Sequence, residues 1–271
     1  MSGESMRVAI SGAAGRMGRT LVAACAEREG VECAGALEHP GHDAIGVDAG
    51  VLAGSGAIGV EVTDDPERFL GAVDGVIDFS VPASTLALVE RCRAAGRQIV
   101  IGTTGFSAAE RALVARCAQD IAVLHAPNMS VGVNVCFRLI EIASRALGED
   151  SDIEVIEMHH RNKIDAPSGT AVRMGEIVAE TLGRDLSKCA VYGREGFTGV
   201  RDRETIGFET IRGGDAVGEH TVMFAGTGER IEITHRSASR FNFAHGALRA
   251  SLWLQGREPG LYDMQDVLGL R

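Results

Sequence analysis

An α/β chain of two domains is predicted by three features of the sequence. Short apolar runs and helical patterns alternate five times over the first 130 residues, a glycine-rich turn joins the first strand to the first helix, and beyond Lys188 the spacing becomes strand-like between Gly-rich turns. The expected boundaries are residues 1–130 with 241–271 for one domain and 131–240 for an α+β domain with a mixed sheet.

The first element is Met6 to Ser11, an apolar run of the buried-strand type, followed by Gly12-Ala13-Ala14-Gly15-Arg16-Met17-Gly18 and a helical pattern over Arg19 to Arg28. Strand, glycine turn and helix in this order let backbone approach a pyrophosphate seated on the helix N-terminus. Arg16 is placed to add a positive charge. The spacing Gly-x-x-Gly-x-x-Gly departs from the commoner Gly-x-Gly-x-x-Gly, and alone it is also what a tight packing turn needs.

A second strand, Val31 to Leu37, ends at Glu38, about 20 residues beyond the glycines, where an acid grips the adenine ribose in a dinucleotide fold. Together the two signals predict a Rossmann-like dinucleotide-binding domain. Glu38 accepts from ribose hydroxyls and repels a 2′-phosphate, which favours NADH over NADPH. His39 is either a weak partner for that phosphate or an ordinary turn residue before Pro40. Gly41 to Gly59 is expected to form a long mobile loop.

Further strands are expected at Gly59 to Asp65, Asp74 to Ser80, Gln98 to Ile101 and Ile121 to Ala126, with helices starting at Pro66, after Ser80 and at Ala108. Ligands of such a sheet lie past the carboxyl ends of its strands. That places Gly102, Thr103 and Thr104, and Ala126, Pro127, Asn128 and Met129, beside the nicotinamide end. Each is an ordinary loop residue taken singly.

Val131 to Leu147 reads as a long helix leaving the nucleotide domain, and the stretch Glu157 to Ala171 follows it. His159 and His160 sit where an alternating strand runs into a loop, Lys163 comes next, and Pro167-Ser168-Gly169-Thr170 opens a helix whose free N–H groups welcome an anion. Two surface histidines beside a capped helix, and a solvated lysine, are the plain alternative. Proton-transfer and anion-binding groups concentrated in one segment favour a site. The last segment, Phe241 to Arg271, carries a helix from Ala244 and ends in an apolar tail, and it is expected to return over the first sheet.

A formal net charge of −10 without any basic run argues against a nucleic-acid partner. No stretch has membrane-span length and no signal peptide is evident, so a cytoplasmic setting is expected. The six cysteines lack metal-ligand spacing and read as core residues; no metal is expected.

Gly12 to Gly18, Gly102-Thr103-Thr104-Gly105, Ala126-Pro127-Asn128-Met129-Ser130 and Glu157-x-His-His-x-x-Lys-x-Asp-Ala-Pro-Ser-Gly-Thr-Ala, in that order, resemble the dihydrodipicolinate reductase family, now also called 4-hydroxy-tetrahydrodipicolinate reductases, from end to end. The resemblance implies hydride transfer from NADH or NADPH to a cyclic, unsaturated dicarboxylate in lysine and diaminopimelate biosynthesis. It also implies catalytic roles for His159 and Lys163, substrate contacts from His160, Gly169 and Thr170, a homotetramer built by the second domain, and a hinge between domains. Ser168 either caps the helix or joins the substrate contacts. Relatives using NADPH often carry Arg beside the ribose acid; with His39 there, use of both cofactors with NADH preferred is expected.

Two rivals remain at this level. An aspartate-semialdehyde or homoserine dehydrogenase shares the two-domain plan, but the former requires an acylating Cys and none is suitably set. A nucleotide sensor that lost catalysis would be expected to lack His159 or Lys163, and both are present.

Overall fold

The computed structural model describes residues 5–71 and 73–271. In chain order the elements are β1 (Met6–Ser11), α1 (Arg16–Glu27), β2 (Val31–Leu37), α2 (Ala49–Ala53), β3 (Val62–Thr63), α3 (Pro66–Leu70), β4 (Gly75–Asp78), α4 (Pro82–Ala95), β5 (Gln98–Ile101), α5 (Ala108–Cys117) and β6 (Ala122–His125). Then come α6 (Val131–Leu147), β7 (Asp152–His159), α7 (Gly169–Leu182), α8 (Leu186–Cys189), β8 (Ala190–Tyr192), β9 (Ile206–Arg212), β10 (Gly218–Ala225), β11 (Arg230–Ser237), α9 (Phe241–Leu254), β12 (Gly260–Tyr262) and α10 (Met264–Leu268). Two compact units result, the first ending at Val131 and resumed at Arg240–Arg271, the second spanning Gly132–Ser239.

The first unit holds a parallel sheet of order β12-β6-β5-β4-β1-β2-β3. The chain runs outward from β1 to β3, then crosses back to β4 and runs the other way, so the topology switches between β1 and β4. Helices cover both faces, which is why β4 is buried at every position and β1 at all but Arg7. One face packs Leu21, Val22 and Cys25 of α1 with Ala244, Leu248 and Leu254 of α9; the other packs Leu88, Val89 and Val114 of α4 and α5.

One segment differs from expectation and another goes beyond it. Gly41 to Gly59 is not an unstructured loop: the Asp48 carboxylate accepts from the N–H groups of Gly50, Val51, Ile58 and Gly59, which caps α2 and ties both sides of the segment together. One carboxylate with four partners is a short-range device that composition alone hides. The C-terminal tail does more than cover the sheet, because Gly260–Tyr262 adds an edge strand parallel to β6. Covering is done by α9, which lies on β4, β5 and β6. Its Gly246 permits this approach, since a Cβ there would overlap the Met129 carbonyl oxygen.

The second unit has a mixed sheet of order β11-β10-β7-β9-β8, with β7, β9 and β8 parallel and β10 antiparallel to both neighbours. Period-two alternation sends Ile153, Val155, Ile206, Phe208, Val222 and Phe224 to one face, where α6 and α7 supply Phe137, Ile140, Met174 and Val178. Each such side chain contributes roughly 1.5–3 kcal/mol on burial. The same face carries polar groups at its other end. Among the described residues, no helix is long and apolar enough to cross a membrane.

Candidate active site

The buried face of β7 reads Ile153, Val155, Glu157, His159, so it changes from apolar to ionisable within one strand. Register brings partners to the same end: Glu157 lies opposite His220 of β10 and Thr210 of β9, and His159 opposite Arg212. Arg212 grips Glu157 bidentately, Nη1 to Oε2 at 2.8 Å and Nη2 to Oε1 at 2.7 Å. The Glu157 carboxylate also accepts from His159 Nδ1 at 2.6 Å and from the Ser168 N–H at 3.1 Å.

Glu157 is 1% exposed. Burial works to raise its pKa, but the hydrogen bonds from Arg212 and His159 outweigh it and leave the carboxyl below its ordinary range. His159 is lowered, because burial disfavours the imidazolium more than Glu157 favours it. His220 packs edge-to-face on His159 with ring centres 5.1 Å apart, and burial pushes it down to about 3. Both rings are therefore neutral near pH 7. A Cβ at Gly218 would lie 3.0 Å from His159 Nε2, so glycine there keeps the approach to that nitrogen open.

Lys163 lies four residues beyond His159, its N–H bonded to the His160 carbonyl and its ammonium to both Asp165 oxygens at 2.8 and 3.0 Å. That pairing holds the Asp165 carboxyl below its usual range. His160 donates its N–H to Ala216 O at 2.8 Å, and its Nδ1 is buried without a partner among the described residues. Gly169 is exposed with open space about its Cα, and Thr170 beside it is half-buried.

Of the two roles open to Ser168, the structure shows the helix cap. It is buried, its Oγ accepts from Ala171 N–H and bonds His220 Nε2, and its N–H is taken by Glu157. It caps α7, and part of the anion-binding capacity expected at that helix entry is satisfied internally by Glu157.

In the first unit the glycine turn works through missing side chains. Gly12 has φ of +72°, and a Cβ there would sit 2.7 Å from Phe79 O; at Gly18 it would overlap the Gly12 carbonyl oxygen and crowd Ala13. Ala14 N–H donates to Glu38 Oε2 at 3.0 Å and His39 N–H to Oε1 at 3.1 Å, while Ala13 is buried with its N–H on Leu37 O. Arg16 is exposed at the first turn of α1, and Met17 packs against the core. A cavity of about 670 Å³ opens here, lined among others by Gly12, Glu38, His39, Phe79, Val81 and Arg91.

The residues expected at the nicotinamide end are placed differently from one another. Gly102 gives room to the Phe79 ring, and Thr104 and Pro127 are exposed. Thr103 is buried, donating to Asp78 Oδ2 at 2.9 Å and accepting from Ser80 N–H at 3.0 Å. Ala126 and Met129 are core side chains, and Asn128 Oδ1 accepts from Ser130 N–H. Thr103, Ala126 and Met129 thus leave mainly backbone to a ligand.

Sequence reasoning left Glu157, the first residue of the singled-out stretch, without a role, and missed Arg212, His220 and Gly218 as parts of the site. The i, i+2 relation of Glu157 to His159 was an available signal for the first. The others come from neighbouring strands, and no local pattern announces them. Burial raises all six thiols, so none is a ready thiolate nucleophile.

Residues 6–129 match the model of the dihydrodipicolinate reductase N-terminus and residues 132–268 that of its C-terminus. The chain belongs to the dihydrodipicolinate reductase family. It is 59% identical to the 4-hydroxy-tetrahydrodipicolinate reductase of Alkalilimnicola ehrlichii, over 97% of this chain and 99% of that one. With the reductase of Methylococcus capsulatus the identity is 58%, covering 98% and 99%. A dipicolinate-bound dihydrodipicolinate reductase from Paenisporosarcina sp. TG-14 shares the fold with a TM-score of 0.76 at 22% identity, covering 97% and 98%. The family's C-terminal model extends to 268, whereas the second compact unit ends at Ser239 and later residues fold back into the first.

Proposed function

We propose that this reductase converts 4-hydroxy-tetrahydrodipicolinate to tetrahydrodipicolinate at the expense of NADH or NADPH, in lysine and diaminopimelate biosynthesis. One water leaves, and one hydride and one proton are added. The observation that carries the residue assignment is that one short segment of the second unit holds both a neutral, buried His159 and the Lys163 ammonium, which is paired with Asp165 and close enough for its charge to act on the His159 ring. The family relationship supplies the substrate.

His159, neutral and with Nδ1 engaged by Glu157, uses Nε2 to take the proton from the ring carbon beside the imine and hands it to the 4-hydroxyl, which departs as water and leaves the ring neutral again. Lys163 pairs with a substrate carboxylate and returns a proton as charge builds on the ring. His160, Gly169 and Thr170 hold the second carboxylate. The first unit fits a dinucleotide, because a cavity of about 670 Å³ opens beside the glycine turn that leads from β1 into α1, and Glu38 stands at the ribose position on its wall. Gly12, Ala13, Ala14, Gly15, Arg16, Met17, Glu38 and His39 hold it at that end, with backbone of Gly102 to Thr104 and Ala126 to Met129 at the other. The bound nicotinamide supplies the hydride.

NADH is the preferred donor in this reading. His39 Nδ1 faces the Pro40 carbonyl at 3.1 Å, which only accepts, so the proton sits on Nδ1 and Nε2 has none to give a phosphate while the ring is neutral. Arg91 in the same cavity is paired with Glu67. A homotetramer is proposed from the outer face of the second sheet, which carries Ile156, Met158, Ile211 and Met223 and where register pairs Met158 with Ile211, and from the fully exposed Phe197 and Val200. Sedimentation of the protein at micromolar concentration tests it, and a monomer would refute it.

The decisive assay generates substrate in place from pyruvate and aspartate semialdehyde with the preceding synthase and follows NADH and NADPH oxidation. Oxidation that depends on the synthase is expected, faster with NADH. Protein that binds NADH yet turns over neither cofactor would overturn the assignment.

A further inference from the structure

Glu157 is more deeply buried than any group assigned to the reaction, and it spends five hydrogen bonds at one strand end. Its two oxygens are not equivalent. Oε1 accepts from Arg212 Nη2, the Ser168 N–H and Thr210 Oγ1, whereas Oε2 accepts from Arg212 Nη1 and faces His159 Nδ1. A carboxylate can only accept, so the proton between Oε2 and the ring belongs to Nδ1.

We propose that Glu157 is a positioning residue for His159, and Arg212 the counter-charge that keeps Glu157 an acceptor, so that the ring is held as the Nδ1–H tautomer with an unprotonated Nε2. This rests on the reading of His159 as the base of the reaction. The arrangement separates two effects that a lone carboxylate would mix. Glu157 fixes tautomer and ring orientation, while the bidentate guanidinium cancels its charge, so that His159 is oriented without being made strongly basic.

The other charged and titratable groups near the ring are Lys163 with Asp165 in the following loop, and His220 of β10 with His235 of β11 paired beside it. None of them reaches Nδ1. Glu157→Gln keeps the shape and changes the outcome. Two fixed donors, Arg212 Nη2 and the Ser168 N–H, converge on Oε1 and one, Arg212 Nη1, on Oε2, so the amide oxygen takes the Oε1 place at the cost of one donor–donor contact with Nη1, and the NH2 faces Nδ1, which must then accept; the ring proton moves to Nε2, and the base is lost.

Selective 15N-histidine labelling reads the tautomer directly. Wild-type His159 is expected to show protonated Nδ1 and bare Nε2, a result that needs no variant; the reverse pattern would overturn the proposal. In Glu157→Gln the proton is expected on Nε2, with kcat lowered by at least about a hundredfold and KM within about threefold. Glu157→Asp is expected to recover part of the loss. Arg212→Met, which leaves the Glu157 charge unopposed, is expected to move the acid limb of kcat/KM to higher pH. An unchanged tautomer, or unchanged kcat, in a folded Glu157→Gln whose His159→Gln counterpart is inactive overturns the inference and leaves the reaction assignment standing. Full activity in His159→Gln overturns the reading beneath it.

Discussion

At the end of β1, Gly12, Gly15 and Gly18 make room; at the end of β7, Glu157, His159, Arg212 and His220 fill it. The first arrangement is made of backbone and missing atoms, and a turn of seven residues contains nearly all of it. The second is made of side chains that satisfy one another across three strands and a helix cap. A ligand that must be approached by amides calls for absence, which a local motif can encode. A buried charge calls for partners on every side, which only assembled strands provide.

That contrast can be broken at Lys163. If the second unit carries the proton chemistry alone, Lys163→Ala lowers kcat by about 10²–10⁴ and leaves NADH affinity within about twofold. Stopped-flow kinetics and fluorescence titration separate the two quantities. Full activity would remove Lys163 from the reaction.

The backbone character of the first site is tested by Gly18→Ala. The new methyl has the Gly12 carbonyl and Ala13 to displace, so a loss of about 1–3 kcal/mol in urea unfolding is expected, together with weaker NADH binding. An alanine tolerated without either effect would mean that the turn has more slack than its geometry shows.

A pH experiment addresses the side-chain site. His220 has an ordinary pKa near 6.5 when unfolded and about 3 when folded. The unfolded chain therefore binds more protons between those values, and the stability from keeping the ring neutral is complete above pH 6.5 and is lost as pH falls toward 3. Between pH 7 and pH 5 the loss from this residue is about 2 kcal/mol. Urea midpoints at the two pH values, compared with His220→Gln, isolate it; equal pH dependence in both proteins would contradict the burial argument. His159, also lowered, places the acid limb of kcat/KM below 6.5.

The smallest effect sharpens the first site. Glu38→Gln removes the charge that repels a 2′-phosphate while keeping an acceptor near Ala14, so the NADPH-to-NADH ratio of kcat/KM is expected to rise about fivefold, the equivalent of ~1 kcal/mol. No change would assign cofactor choice to His39 or Arg91 instead.

Much of this molecule was legible in its sequence. Strand and helix alternation, the turn at Gly12 to Gly18, Glu38 at the end of the second strand, and the His159 to Lys163 segment are all local patterns, because backbone dihedrals and side-chain period act over a few residues. The addition of Gly260–Tyr262 to the first sheet, the four bonds that close Asp48, the bonds of Ser168 to Glu157 and His220 and of Thr103 to Asp78, and the meeting of Glu157 with Arg212 were not. Arg212 is 55 residues from Glu157 and the register between β7 and β9 alone brings them together. Spacing therefore determined which groups this protein owns, and tertiary structure decided which of them are already spoken for, since hydrogen-bond satisfaction of a buried atom depends on every element that surrounds it.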